Sequence, residues 1–210
     1  MDKYKETFET WNKIANLYQD KFMDLDLYNE TYDFFCTILK ENQLNIFEIG
    51  CGPGNITKYL LSKKTNLKIT GIDIAPKMVE LAKSNNPSAN FKVMDTRNLD
   101  KVNEKFDAIM CGFCLPYLSE TDSSKLLYDS NKLLTQDGVL YLSFIEGSPS
   151  KSGFISGSTG DRTYFYYHTL KEIRNQLFKN HFEILKSFEV KYPKGNDFEI
   201  HTILIAKKIR

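Results

Sequence analysis

The sequence predicts an α/β protein built on a mostly parallel sheet, and three observations carry that prediction. Past Asn42, short apolar runs alternate with segments of helical periodicity, the arrangement of repeated strand–helix–strand units. The first run, Asn45-Ile46-Phe47-Glu48-Ile49, feeds a glycine-rich turn, Gly50-Cys51-Gly52-Pro53-Gly54, that opens a helix. The last two runs are joined only by Tyr192 to Asp197, too short for a parallel crossover, so that pair is antiparallel. The chain has 210 residues, 41% hydrophobic and 26% charged, which suits one globular domain; 15 Phe, 12 Tyr and one Trp exclude intrinsic disorder.

From Glu6 to about Lys40, Phe8, Trp11, Ile14, Leu17 and Tyr18, then Tyr28, Tyr32, Phe35, Cys36 and Leu39, recur at spacings of three and four. That predicts two helices, broken near Met23 to Asp26, forming an N-terminal cover over residues 1–44. After the first strand and its turn, Ile56 to Leu61 is helical. A second strand, Leu67 to Ile72, runs into Asp73, and Pro76 suits the first turn of a helix whose apolar face is Met78, Leu81 and Ala82. Asn90 to Met94 is the third strand, ending at Asp95, and Phe106 to Cys111 the fourth. Ser119 caps a helix carrying Leu126, Leu127, Leu133 and Leu134, and Gly138 to Ile145 is the fifth strand, which completes a core over residues 45–146.

Gly147 to Gly160 holds four Gly and five Ser in fourteen positions, a composition that cannot build a core, so residues 147–168 are predicted to form a mobile loop. Thr169-Leu170-Lys171-Glu172 has the capping-box pattern and opens a helix through Leu177 and Phe178. Strands at about Phe182 to Val190 and Phe198 to Ala206 close residues 169–210 and the single domain.

Charge and cysteine usage narrow the partners. With 28 basic against 27 acidic residues there is no electrostatic footprint for a polyanion, and no nucleic-acid partner is expected. No run approaches the ~18 apolar residues of a membrane span, and the opening stretch lacks a signal-peptide apolar region, so the cytoplasm is the expected location and no membrane partner is expected. Cys36, Cys51, Cys111 and Cys114 read as free thiols. Cys111-Gly112-Phe113-Cys114 has the spacing of a redox dithiol or half a zinc site. It follows a fourth strand, however, is interrupted by Pro116 and has no matching second pair, so no metal is expected.

Glu48, Asp73 and Asp95 end three successive strands, and carboxyl ends of strands in an open α/β sheet face the ligand crevice. Gly50, Gly52 and Gly54 let the backbone approach a ligand, and the following helix offers unpaired N–H groups to an anionic group. Asp73 lies 19 residues after Gly54, close to the ~20-residue offset of an acid that binds ribose hydroxyls. Asn55 stands where the dinucleotide fingerprint has a third Gly, and acids at 48 and 95 repel a pyrophosphate. The expected ligand carries ribose and an amino group.

Phe47-Glu48-Ile49-Gly50-Cys51-Gly52-Pro53-Gly54, then Asp73, then Val93-Met94-Asp95, resemble in motif order the class I S-adenosylmethionine-dependent methyltransferases, over about Asn45 to Ile145. The resemblance implies a Rossmann-like three-layer sandwich with strand order 3-2-1-4-5-7-6, S-adenosylmethionine as cofactor, and methyl transfer by in-line displacement. It implies that Gly50, Cys51, Gly52 and Gly54 receive the methionine part, with Glu48 supporting that end and the Cys111 carbonyl meeting the ammonium. Asp73 would hold the ribose, Ile74 the adenine face, and Asp95 with Thr96 the adenine amino group. Tyr18 and Met78 complete the expected cofactor contacts, although Met78 also fits plain core packing.

Cys114-Leu115-Pro116-Tyr117 departs from the Asn/Asp-Pro-Pro-Tyr/Phe motif of members that methylate nucleic-acid amines, which favours a small-molecule acceptor. Tyr18, Phe22, Phe113, Tyr117 and the Tyr164 to Tyr167 run are candidates for its aromatic pocket, each of which also fits ordinary packing. His168 is the expected general base and Tyr117 the second catalytic candidate. His181 and His201 are expected to be structural, and Arg162 is placed to meet a substrate carboxylate. Two rival readings share the slot, a binding module without turnover and a nucleotide-dependent oxidoreductase. Acceptor atom and oligomeric state stay open.

Overall fold

The computed structural model describes residues 2–41 and 44–210; the change of pattern at Asn42 lies outside them. Strands β1 (Asn45–Ile49), β2 (Lys68–Asp73), β3 (Asn90–Val93), β4 (Phe106–Cys111) and β5 (Leu134–Ile145) are parallel. Two more strands, β8 (Phe182–Lys194) and β9 (Asp197–Lys208), complete a seven-stranded sheet of order β3-β2-β1-β4-β5-β9-β8, in which β9 runs antiparallel to both neighbours. The predicted order is therefore observed. The chain walks outward from β1 to β3 and returns beside β1 as β4, which puts the switch point, and the crevice beyond the strand ends, between β1 and β4.

Period-two alternation divides the core between the sheet's faces. Phe47, Ile49, Ile109, Leu140, Leu142 and Leu204 pack on one side with Leu126 and Leu127 of α6 (Glu120–Leu133) and Ile173 and Leu177 of α7 (Leu170–Lys179). Ile46, Ala108, Met110, Tyr141 and Ile203 pack on the other with Phe35 of α3 (Asn29–Ile38) and Leu60 of α4 (Asn55–Lys63). Helix α5 (Pro76–Asn85) sets Val79 and Ala82 against Phe91.

Two elements differ from expectation. The N-terminal cover has three helices, because Ile14, at φ −95° and ψ 14°, separates α1 (Lys3–Lys13) from α2 (Ala15–Phe22). The segment predicted as a loop contains an antiparallel ribbon of β6 (Gly153–Ser156) and β7 (Arg162–Phe165). Glycine and serine forbid a core but not backbone pairing, and the ribbon is fastened to α1. Thr10 Oγ1 donates to the Arg162 carbonyl at 2.7 Å, Tyr164 N donates to Thr7 Oγ1 at 2.9 Å, and Lys13 Nζ meets Asp161 at 2.8 Å. Arg162 itself pairs with Glu6, so its guanidinium holds the cover rather than standing free for a substrate. Among the described residues no helix is long and apolar enough to cross a membrane, and no group of three or more His, Cys, Asp or Glu is placed to hold a metal ion.

Candidate functional site

The site grows from the turn after β1. Gly50, Gly52 and Gly54 have φ of 69°, 51° and 82°, the left-handed region that a side chain disfavours. Cys51 N donates to the Ile72 carbonyl at 2.9 Å and Gly52 N donates to Asp73 Oδ2 at 3.0 Å, which ties the turn to the end of β2. Asp73 Oδ1 accepts from Ala75 N at 2.9 Å. Each carboxylate oxygen thus uses one N–H and keeps capacity for a further donor. Burial pushes the Asp73 carboxyl up, opposed by the N–H groups of Ala75, Gly52 and Ile74. Gly50, Gly52, Asp73, Ile74, Met78, Asp95 and Thr96 line one cavity, which α1 and α2 cover with Tyr4, Phe8, Trp11 and Tyr18.

Sequence reasoning missed the far wall of this cavity. Asp95 Oδ1 accepts from Arg97 N at 2.9 Å, and the Arg97 guanidinium reaches both carboxylate oxygens, Nε at 3.0 Å and Nη2 at 2.5 Å. Burial raises the Asp95 carboxyl, but the hydrogen bonds and charge of Arg97 prevail and hold it below its ordinary range. The Arg97 guanidinium lies 4.2 Å from the Tyr4 ring centroid, and the Tyr4 hydroxyl donates to Asp122 while accepting from Ser119 N at 3.1 Å. This contact depends on a tight turn at Thr96–Lys101 and on the docking of α1, neither of which leaves a local sequence signal.

A second cavity adjoins the first across Trp11, Tyr18, Gly50, Gly52, Gly112, Phe113 and Tyr117, which line both. Tyr117 meets Trp11 edge-on at 5.4 Å and Phe165 at 6.0 Å, and burial pushes its phenol up. Beyond this shared wall the second cavity is lined by Phe22, Tyr28, Ile56, Ile145, Tyr192, Glu199 and His201. His201, expected to be structural, is buried and contributes to the wall of this cavity.

Five expected site residues line neither cavity. The Cys51 side chain packs with Val79, Ala82 and Phe91, and Cys111 belongs to the main core, both as free thiols. At Gly54 a Cβ would collide with Asn86 Nδ2, which donates to the Gly54 carbonyl at 2.9 Å. Gly54→Ala is expected to cost about 1–3 kcal/mol, read as a lower urea midpoint. His168 is buried, with Nε2 3.1 Å from the Leu115 carbonyl and 3.2 Å from that of Leu118. Carbonyls only accept, so Nε2 carries the proton and cannot take another. Burial also lowers the affinity of the ring for a second proton. The structure thus makes His168 a brace between the segment after β4 and that after β7, not a base at a cavity.

Glu48 is 1% exposed below the turn; the Thr57 hydroxyl donates to its Oε2, and Oε1 has no hydrogen-bond partner among the described residues. Burial pushes its carboxyl up to about 8. Between the ordinary 4.5 and about 8 the folded chain keeps a proton that the unfolded chain releases, so this contribution to stability is lost as pH rises through about 8. Glu48→Gln removes the dependence: its melting temperature is expected to gain on that of wild type progressively as pH is raised through this window in thermal denaturation.

A methyltransferase domain family matches residues 46–138. The chain is 32% identical over 136 residues to a malonyl-acyl-carrier-protein O-methyltransferase of Acetivibrio thermocellus, covering 62% of this chain and 41% of that one. It is 25% identical over 222 residues to an uncharacterised methyltransferase of Oceanobacillus iheyensis, covering 99% and 98%. It spans less than half the length of the first relative and nearly all of the second. Among solved structures, magnesium protoporphyrin IX methyltransferase from Synechocystis PCC 6803 with bound S-adenosylmethionine aligns at TM-score 0.73 and 19% identity, covering 99% and 98% of the two chains. A 1,6-didemethyltoxoflavin-N1-methyltransferase of Burkholderia thailandensis aligns at 0.73 and 18%, covering 98% and 88%. The family model covers residues 46–138, a little under half of the chain, and the backbone follows these structures over nearly its whole length, so the chain has the fold of these methyltransferase structures.

Proposed function

We propose that the chain binds S-adenosylmethionine in the first cavity and transfers its methyl group to a small molecule held in the second. The observation that carries this reading is the junction itself: two cavities meet at the glycine turn, one floored by Asp73 and the other walled by aromatic rings. The Asp73 oxygens retain lone pairs for ribose hydroxyls, and Gly50 and Gly52 bring bare backbone to the amino-acid end. Ile74 and Met78 flank the adenine, with Thr96 beside it. Asp95, held by Arg97, stands at the adenine end of the cavity.

The sulfonium supplies the electrophilic methyl carbon, and the protein's own task is alignment. Tyr18 and Trp11 close the first cavity from above, while Phe113 and Tyr117 hold the acceptor in line at the shared wall. Such positioning supplies up to ~7–11 kcal/mol of the barrier. Removing water from the shared wall also favours dispersal of the sulfonium charge during transfer. The near-neutral charge supports a small-molecule acceptor over a nucleic acid, and four free cysteines suit a reducing cytoplasm. The cover, core, loop segment and closing strands act here as one domain.

Incubation with methyl-labelled cofactor and a panel of small acceptors tests the reading. Labelled product is expected; cofactor binding with no product across the panel would leave the binding-module alternative. His168→Asn separates bracing from chemistry. It is expected to lower stability by about 1–3 kcal/mol in urea unfolding while S-adenosylhomocysteine affinity is unchanged.

A further inference from the structure

We infer that Arg97 is a positioning residue for the base of the cofactor: by clamping the Asp95 carboxylate it makes the first cavity select a purine that carries an exocyclic amino group over one that carries a carbonyl there. The inference rests on the cofactor reading of that cavity and adds to it a residue that acts through its neighbour. Arg97 and Asp95 both line the cavity, beside Thr96 and Tyr4. The clamp has three points. Arg97 N donates to Asp95 Oδ1 at 2.9 Å, Nε lies 3.0 Å from each carboxylate oxygen, and Nη2 donates to Oδ2 at 2.5 Å. Main chain and side chain of one residue thus grip the carboxylate together, which fixes its plane as well as its place.

The clamp is itself held from both sides. The guanidinium lies 4.2 Å from the Tyr4 ring centroid, and the Tyr4 hydroxyl is anchored on Ser119 N at 3.1 Å and on Asp122 of α6. The backbone N–H of Arg97 belongs to the tight turn at Thr96–Lys101, which buries Leu99 in the main core. An Asp–Arg pair on an open surface contributes little, because solvent screens it and both side chains are free to leave. Here the Asp95 side chain is 20% exposed and that of Arg97 35%, and Tyr4 of the docked α1 covers the pair. A lysine would supply the charge without the planar fork, so the residue type matters.

Selectivity follows from what a carboxyl group offers in each protonation state. An ionised carboxylate only accepts hydrogen bonds, so an amino group on the base is a partner and a carbonyl in the same place sets oxygen against oxygen. A protonated carboxyl donates as well as accepts and serves either base. Arg97 keeps Asp95 in the first state: burial pushes the carboxyl up, and the hydrogen bonds and charge of Arg97 outweigh that and hold it below its ordinary range. Arg97 therefore acts on selectivity twice, through the orientation of Asp95 and through its charge. Without Arg97 the acid is free to turn, and burial favours the form that discriminates least.

The test is titration calorimetry of the 210-residue chain with S-adenosylhomocysteine and with S-inosylhomocysteine, whose base has a carbonyl in place of the amino group. Wild type is expected to bind the adenosyl compound at least about 10-fold more tightly. Arg97→Gln is expected to narrow that preference to about 2-fold or less, chiefly by weakening the adenosyl compound; a packing role alone would weaken both ligands alike and leave the ratio as it was. In an Asp95→Asn chain, Arg97→Gln is expected to change the ratio no further, since its route is gone. Arg97→Lys is expected to fall between wild type and Arg97→Gln, and it decides the matter if the Gln variant does not fold. Wild type that binds neither compound overturns the cofactor reading and this inference with it. Equal binding of the two by wild type, a preference undiminished in the Arg97 variant that folds, or a further change in the Asp95→Asn chain overturns this inference alone.

Discussion

Asp73→Ala is expected to weaken S-adenosylhomocysteine binding by about 100-fold or more. A hydrogen bond to an ionised carboxylate contributes about 1.5–3 kcal/mol, and two ribose hydroxyls would lose theirs together. The same substitution strips Gly52 N and Ala75 N of their acceptor, so the turn loses its tie to β2 as well. Asp73→Asn retains the shape and one acceptor oxygen, and an intermediate loss is expected. Titration calorimetry checks both; unchanged affinity in the Ala variant would mean that the carboxylate does not touch the ligand.

Gly50→Val is the second large effect, because it strikes binding and folding at once. The residue has φ 69°, where a β-branched side chain is an outlier, and a Cβ there would stand 3.2 Å from Cys114 Cβ. Cys114 is buried in the main core and cannot easily retreat. Loss of about 1–3 kcal/mol in urea unfolding is expected, together with loss of S-adenosylhomocysteine binding, since Gly50 lines both cavities. Gly153→Val is the control: among the described residues nothing lies within 4 Å of where a Cβ would stand and its φ is not left-handed, so affinity is expected to be unchanged.

The cofactor side of the site was readable from residues because its signals are local. A strand that ends in glycines, and an acid at the end of the next strand, are set by neighbours in sequence, and Gly50, Gly52 and Asp73 meet as expected. The acceptor side depends on which strand faces meet, which no short segment encodes. His168 stands beside an aromatic run and suggested a base, but the return of the chain to β5, bridging Glu146 with His168, folds the ring under Leu115 and Leu118. His201 looked structural because it lies inside an apolar strand, yet its pairing with Ile145 and Val190 sets it at the wall of the second cavity. An imidazole amid Ile200 and Ile203 is itself a signal, since a buried polar ring needs partners that the strand does not supply. Arg97 and the β6–β7 ribbon were hidden for a related reason. Their contacts, with Tyr4 and with Thr7 and Thr10, come from the docking of α1 more than fifty residues away in sequence.

Titration calorimetry of the wild-type chain with S-adenosylhomocysteine, with NAD as the comparison, bears most directly on whether the glycine turn and Asp73 form a nucleoside and amino-acid cradle. Saturable one-to-one heat is expected for S-adenosylhomocysteine and none for NAD. No heat with S-adenosylhomocysteine, or equal binding of NAD, would contradict it.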